Sequence, residues 1–295
     1  MPRCFVLCLI LLVGMGCAIH SKEPTLVDLS LLVDLNSPKT PKHTVVLLPG
    51  ALATIAIFDG ALAAFGPDVK LIYYPFPGLD GRPIDPRLDI SEEGKRLARF
   101  VEGHPPGHVS FVGYSTGAAI AIEAAHALSN DHYLKLALIS PAAERAGGLT
   151  TTLSGVRDIS TAAGRAGTFN IKTMWPEYWK LLLVGRKNYL ANARIDYVQS
   201  MFAAHRDDIV LPSPELRRAH TQSLRTWQVP QGFSAHNREV AVFFGGQDPV
   251  FDVHQTRVLI AKLGGASETI YRDQGHLLPL SGDTLYQDIA SYLFP

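Results

Sequence analysis

Residues 113 to 117 read Gly-Tyr-Ser-Thr-Gly, directly after the apolar run Val109 to Val112 and directly before Ala118-Ala119-Ile120-Ala121-Ile122. Ser115 therefore falls where a strand turns sharply into a helix. A serine on so tight a turn has a strained backbone that projects its hydroxyl, and small residues two places to either side keep the crossing backbones apart. The helix that follows offers unpaired N–H groups and the positive end of its dipole beside that hydroxyl, both of which favour a developing oxyanion. Ser115 is the candidate nucleophile. The competing reading is an ordinary glycine-flanked turn with a helix-capping serine.

A serine hydroxyl needs an imidazole to take its proton, and the imidazole needs a carboxylate to fix its tautomer and stabilise its cation. Both appear downstream. Asp248 follows the run Val240 to Phe244 in the turn Gly245-Gly246-Gln247-Asp248-Pro249, and His276 follows the run ending at Tyr271 in Asp273-Gln274-Gly275-His276. Two further acids compete for the carboxylate role: Glu144, soon after the run Leu134 to Ile139, and Asp252, one helical turn beyond Asp248. The remaining histidines form no His-x-x-x-His or His-Glu-x-x-His pairing, so no catalytic metal is expected and no cofactor is called for. His126, on the helix after Ser115, reads as packed or capping.

The elements that must position these residues alternate in type. Short buried strands are expected at Val45 to Leu48, Val69 to Tyr74, Val109 to Val112, Leu134 to Ile139, Val240 to Phe244 and Thr269 to Tyr271. Helices are expected from Asp89 to Val101, Thr116 to Leu128, Val253 to Leu263 and Thr284 to Leu293; the first opens on Asp89 and Glu92 at capping-box spacing. Such alternation implies a parallel sheet covered by helices on both faces, and residues just past the C-terminal ends of its strands converge on one edge. Ser115, Asp248 and His276 all belong there. Regularity lapses between Arg145 and Gln231, a stretch too long for a structureless loop and read instead as a helical insertion. Its aromatic cluster, Trp175, Tyr178 and Trp179, either lines an apolar acyl pocket or packs the insertion onto the sheet.

At this point the chain resembles the α/β-hydrolase family over roughly Thr44 to Pro295. The resemblance rests on the Gly113 to Gly117 elbow, the serine, acid, histidine order, and the turns around Asp248 and His276. It implies an α/β fold with a mostly parallel sheet and a helical cap at about 145–231. It further implies an oxyanion hole built from the amide of Thr116 and one from the loop Leu48-Pro49-Gly50-Ala51-Leu52, Ala51 or its neighbour Leu52. The family often has His-Gly there, where this chain has Pro49-Gly50. The implied activity is a serine hydrolase cleaving a carboxylic ester, a small ester or a lipid, through an acyl-enzyme; a thioesterase, acyltransferase or aminopeptidase on the same residues, or a non-catalytic binding protein, are the alternatives.

The chain has 295 residues, 47% of them hydrophobic, which suffices for one large core. Its 27 basic and 27 acidic residues leave a formal charge of zero, and no basic block offers a footprint for nucleic acid. Residues 1–20 differ in kind. Met-Pro-Arg precedes an apolar stretch too short for a membrane span, and Gly14-Met15-Gly16-Cys17 resembles the lipobox of bacterial lipoproteins, with Gly14 departing from the usual aliphatic residue. An exported protein of the cell envelope follows, anchored through an acylated Cys17 or carrying a plain signal or an uncleaved anchor. Residues 21–43, broken by three prolines, read as a tether. All 3 cysteines lie before residue 20, so the body has no disulfide.

Overall fold

The computed structural model describes residues 32–51, 53–104, 108–128, 134–146, 149–208, 210–233 and 238–295. Seven strands form one sheet: β1 (Val33–Asp34), β2 (His43–Leu48), β3 (Val69–Tyr73), β4 (Val109–Tyr114), β5 (Leu134–Ile139), β6 (Arg238–Gly245) and β7 (Ser267–Tyr271). Their spatial order is β1-β3-β2-β4-β5-β6-β7. All neighbours run parallel except β1, which pairs antiparallel to β3 and turns part of the expected tether into an edge strand.

The central strands are apolar on both sides because both faces are covered. Val46, Leu48, Phe111, Leu136 and Val242 face one core, whereas Val45, Leu47, Val112, Ala137 and Phe243 face the other. The strand order explains the position of the site. From β2 the chain moves outward to β3, then returns to place β4 on the other side of β2, so the crossovers diverge at the C-terminal ends of β2 and β4 and leave a crevice there. Leu48 sits opposite Gly113 in that register, which brings the loop after β2 beside the turn after β4.

The helices of the sheet core are α1 (Asp59–Ala64), α2 (Ile90–Glu102) and α3 (Thr116–Ala127). Asp89 caps α2 by accepting from the amides of Ser91 and Glu92, but Glu92 pairs with Lys95 and does not complete the reciprocal box. Four helices fill the region between β5 and β6: α4 (Leu149–Ala166), α5 (Ile171–Leu190), α6 (Ile195–Ala204) and α7 (Pro214–Thr226). Beyond β6 come α8 (Val253–Lys262), α9 (Leu278–Ser281) and α10 (Leu285–Leu293). Among the described residues no helix is long and apolar enough to cross a membrane.

Helix α5 is broken at Gly185, which adopts φ 79° and ψ 160°. A Cβ at that position would lie 2.1 Å from the Gln247 carbonyl oxygen, so only glycine permits this approach of backbone to backbone. The break frees two carbonyls of the preceding turn, and both are reused: Gly275 N–H donates to Leu183 at 2.7 Å and Leu277 N–H donates to Leu182 at 3.2 Å. The two amides that flank His276 are thus tied to α5.

Candidate active site

The backbone of Ser115 has φ 53° and ψ −116°, a region that a residue with a side chain enters only when its surroundings force it. Those surroundings are visible. Ser115 N–H donates to Ile139 O at 2.9 Å, and its carbonyl accepts from Ala118 and Ala142, each at 3.1 Å. A Cβ on Gly117 would meet Leu48 O at 2.2 Å, and one on Gly113 would meet the Ala118 Cα at 2.7 Å, so both flanking glycines are required by contact. Residues Thr116 to Ala125 of helix α3, behind the turn, are all buried, and this fixes its N-terminus against the sheet edge.

Three sequence-predicted residues meet at this turn. Ser115 Oγ is 3.2 Å from His276 Nε2, and His276 Nδ1 is 2.8 Å from Asp248 Oδ2. A carboxylate only accepts, so Nδ1 carries the proton and Nε2 is left as the acceptor facing the hydroxyl. Asp248 Oδ1 accepts from the amides of Val250 at 2.8 Å and Phe251 at 3.0 Å, which holds the carboxylate in place. The rings of Tyr114 and Phe251 stand 5.3 and 5.6 Å from the imidazole. All three residues are buried, Ser115 at 8%, Asp248 at 6% and His276 at 6% exposure.

The competing acids are engaged elsewhere. Glu144 accepts from Val229 N–H at 2.7 Å and pairs with Lys262. Asp252 caps α8 in a reciprocal box with Gln255. His126 is exposed on α3 and belongs to no part of the site. Thr116 is the first residue of α3, so its amide has no acceptor within the helix, and Ala51 borders the same space. Leu52 and Cys17 lie outside the described residues.

Beside Ser115 is a partly open cavity of about 180 Å³. Its walls include Trp175, Tyr178, Leu182, Leu224, Val250 and Leu277, and they are largely apolar. The three rings of the insertion's aromatic cluster border this cavity. Trp175 and Tyr178 stack 5.4 Å apart at the cavity, and Trp175 donates to Val210 O at 2.7 Å, whereas Trp179 also packs on Phe202. Burial pushes the phenols of Tyr114 and Tyr178 well above their usual range, so both stay un-ionised. A larger open groove of about 620 Å³ between α2 and α7 touches neither Ser115 nor His276.

One residue at the cavity has no counterpart in the sequence-derived set. His220 on α7 places Nε2 2.7 Å from Thr116 Oγ1. Burial lowers its pKa to about 4, with repulsion from His276 adding to the shift. The signal in the sequence was its spacing: His220 stands four residues from both Leu216 and Leu224, an imidazole in the buried stripe of an amphipathic helix.

The model of the alpha/beta hydrolase family matches residues 45–287. No curated protein matches the sequence. Among solved structures, the enol-lactonase from Burkholderia xenovorans LB400 superposes with a TM-score of 0.69 at 14% identity, covering 90% of this chain and 96% of that one. An esterase from Exiguobacterium antarcticum gives 0.64 at 15% identity over 90% of this chain and 95% of that one. A thermophilic esterase from Thermogutta terrifontis gives 0.62 at 14% identity over 89% and 92%. At such identities the likeness is one of fold.

Proposed function

The chain belongs to the alpha/beta hydrolase family, and from that premise we propose that it is a serine hydrolase cleaving a carboxylic ester with a small apolar acyl group. The observation that carries this reading is the hydrogen-bonded series Ser115, His276, Asp248 opening onto an apolar cavity. His276 Nε2 takes the hydroxyl proton as Ser115 Oγ bonds to the carbonyl carbon, and the amides of Thr116 and Ala51 receive the oxyanion. The imidazolium then returns its proton to the departing alkoxide as the carbon–oxygen bond breaks. Water, deprotonated by the same nitrogen, attacks the acyl-enzyme and releases the acid while Ser115 Oγ recovers the proton. Asp248 orients the ring and stabilises its cationic form throughout.

The cavity favours a small ester over a lipid. A space of roughly 150 Å³ holds a six-carbon ring, so about 180 Å³ accommodates an acyl group of about six or seven non-hydrogen atoms. The choice of an oxygen ester over a thioester or peptide also accords with the names of the two esterases and the lactonase that share the fold. Labelling by a fluorophosphonate tests the reading directly. The native protein is expected to be modified at Ser115 and to hydrolyse p-nitrophenyl butyrate, and Ser115→Ala to do neither. Native protein that stays unlabelled while control esterases react refutes the assignment.

A further inference from the structure

The mechanism above makes no use of His220. Thr116 is fully buried, and its hydroxyl has no partner other than His220 Nε2 among the described residues. A buried O–H without an acceptor is worse than an oxygen with an empty lone pair, so Thr116 donates and Nε2 accepts. The neutral ring then bears its proton on Nδ1, for which the described residues provide no acceptor. Burial keeps the imidazole neutral over the ordinary pH range, so it is a donor of one proton and not a cation. His220 borders the same cavity as Ser115 and His276, amid walls that are otherwise mostly apolar. The indole N–H of Trp175, also at the cavity, is already satisfied by Val210.

We propose that His220 determines specificity: its Nδ1–H recognises a hydrogen-bond acceptor, a carbonyl oxygen, carried on the acyl chain of the ester. The inference rests on the ester-hydrolase reading above. A plain alkyl chain that fills the cavity drives water from this N–H and leaves it unpaired, whereas an oxo-substituted chain of the same length satisfies it. Sites that hydrogen-bond a substrate group discriminate against the analogue lacking it more sharply than apolar pockets discriminate by size.

The test compares p-nitrophenyl hexanoate with its 3-oxo, 4-oxo and 5-oxo forms on unlabelled native protein, His220→Phe and His220→Gln, with separate aliquots of all three labelled by the fluorophosphonate to count competent active sites. At least one oxo isomer is expected to exceed the plain ester by about tenfold in kcat/KM on the native protein. His220→Phe is expected to bring the ratio of oxo to plain ester in kcat/KM down to about one, and His220→Gln, which keeps a donor, to restore part of that ratio. The proposal is overturned if no oxo isomer is preferred by the native protein. It is also overturned if both variants lose plain and oxo esters equally, because that pattern belongs to a residue that only holds Thr116. Native protein without labelling or turnover on any ester defeats the hydrolase reading itself and is distinct from either result.

Discussion

Lengthening the acyl chain of a p-nitrophenyl ester one carbon at a time probes how the cavity beside Ser115 is closed. Each methylene moved from water to an apolar wall is worth about 0.8 kcal/mol, close to fourfold in kcat/KM when the contact is made in the transition state. Four added methylenes, from acetate to hexanoate, therefore amount to about 3 kcal/mol, or about 200-fold. The gain must stop when the space is full, and about 180 Å³ sets that point near six carbons. Longer chains then have to displace Trp175 or Leu224, and kcat/KM falls. Leu224→Ala removes three carbons from the wall and is expected to move the optimum to about eight or nine carbons, with a modest stability loss because the site already borders a void. Steady-state kinetics over esters of two to twelve carbons decides the matter. A rate that climbs through ten carbons, or an optimum that Leu224→Ala leaves in place, refutes the reasoning.

Three other perturbations follow from the structure and a fourth from the sequence. Asp248→Asn preserves the packing but lets the amide donate to Nδ1, placing the proton on Nε2; kcat is expected to drop about 10⁴-fold with little change in the circular dichroism spectrum. Gly185→Ala meets the Gln247 carbonyl and a positive φ together and is expected to destabilise by more than about 2 kcal/mol in urea denaturation, with kcat falling too, whereas Gly164→Ala on α4, with open space around it, is expected to be neutral or stabilising. Burial lowers the pKa of both His43 and His220 to about 4 from the 6.5 of the unfolded chain, so the unfolded chain binds more protons between those values; stability is fully present above about pH 6.5 and lost as pH falls toward 4, by at most about 3 kcal/mol for His220 and by less for the solvent-screened His43, and urea midpoints of His220→Gln should show a shallower decline. Cys17→Ser is expected to move the protein from the membrane to the soluble fraction, and unchanged fractionation counts against an acyl anchor.

The parts of the site that could be read from the chain are those with local causes. Ser115 announced itself because the elbow compresses a strand end, a strained residue and a helix start into five positions, and Gly113 and Gly117 are demanded by contacts within that turn. Asp248 and His276 were legible because each follows a strand at its C-terminal end, and a parallel sheet brings such ends together. Glu144 remained a rival until Lys262, 118 residues away, appeared beside it. His220 escaped notice for the same reason, since its partner Thr116 lies 104 residues earlier. Nothing in the apolar run Leu181 to Val184 signals that the carbonyls of Leu182 and Leu183 are released by the break at Gly185.

The interruption of α5 has a bearing on engineering. A cap attached through two flexible joints is a cassette that can be exchanged between relatives to alter what an enzyme accepts. Here the stretch from Leu182 to Gly185 is wired by main-chain bonds into the loop of His276 and abuts the loop of Asp248, so it holds His276 in place as well as bordering the cavity. A graft that replaced the whole insertion would take away part of the scaffold of His276 along with the cavity walls. Recombination of specificity in this protein has to keep those four residues and trade only the helices around them.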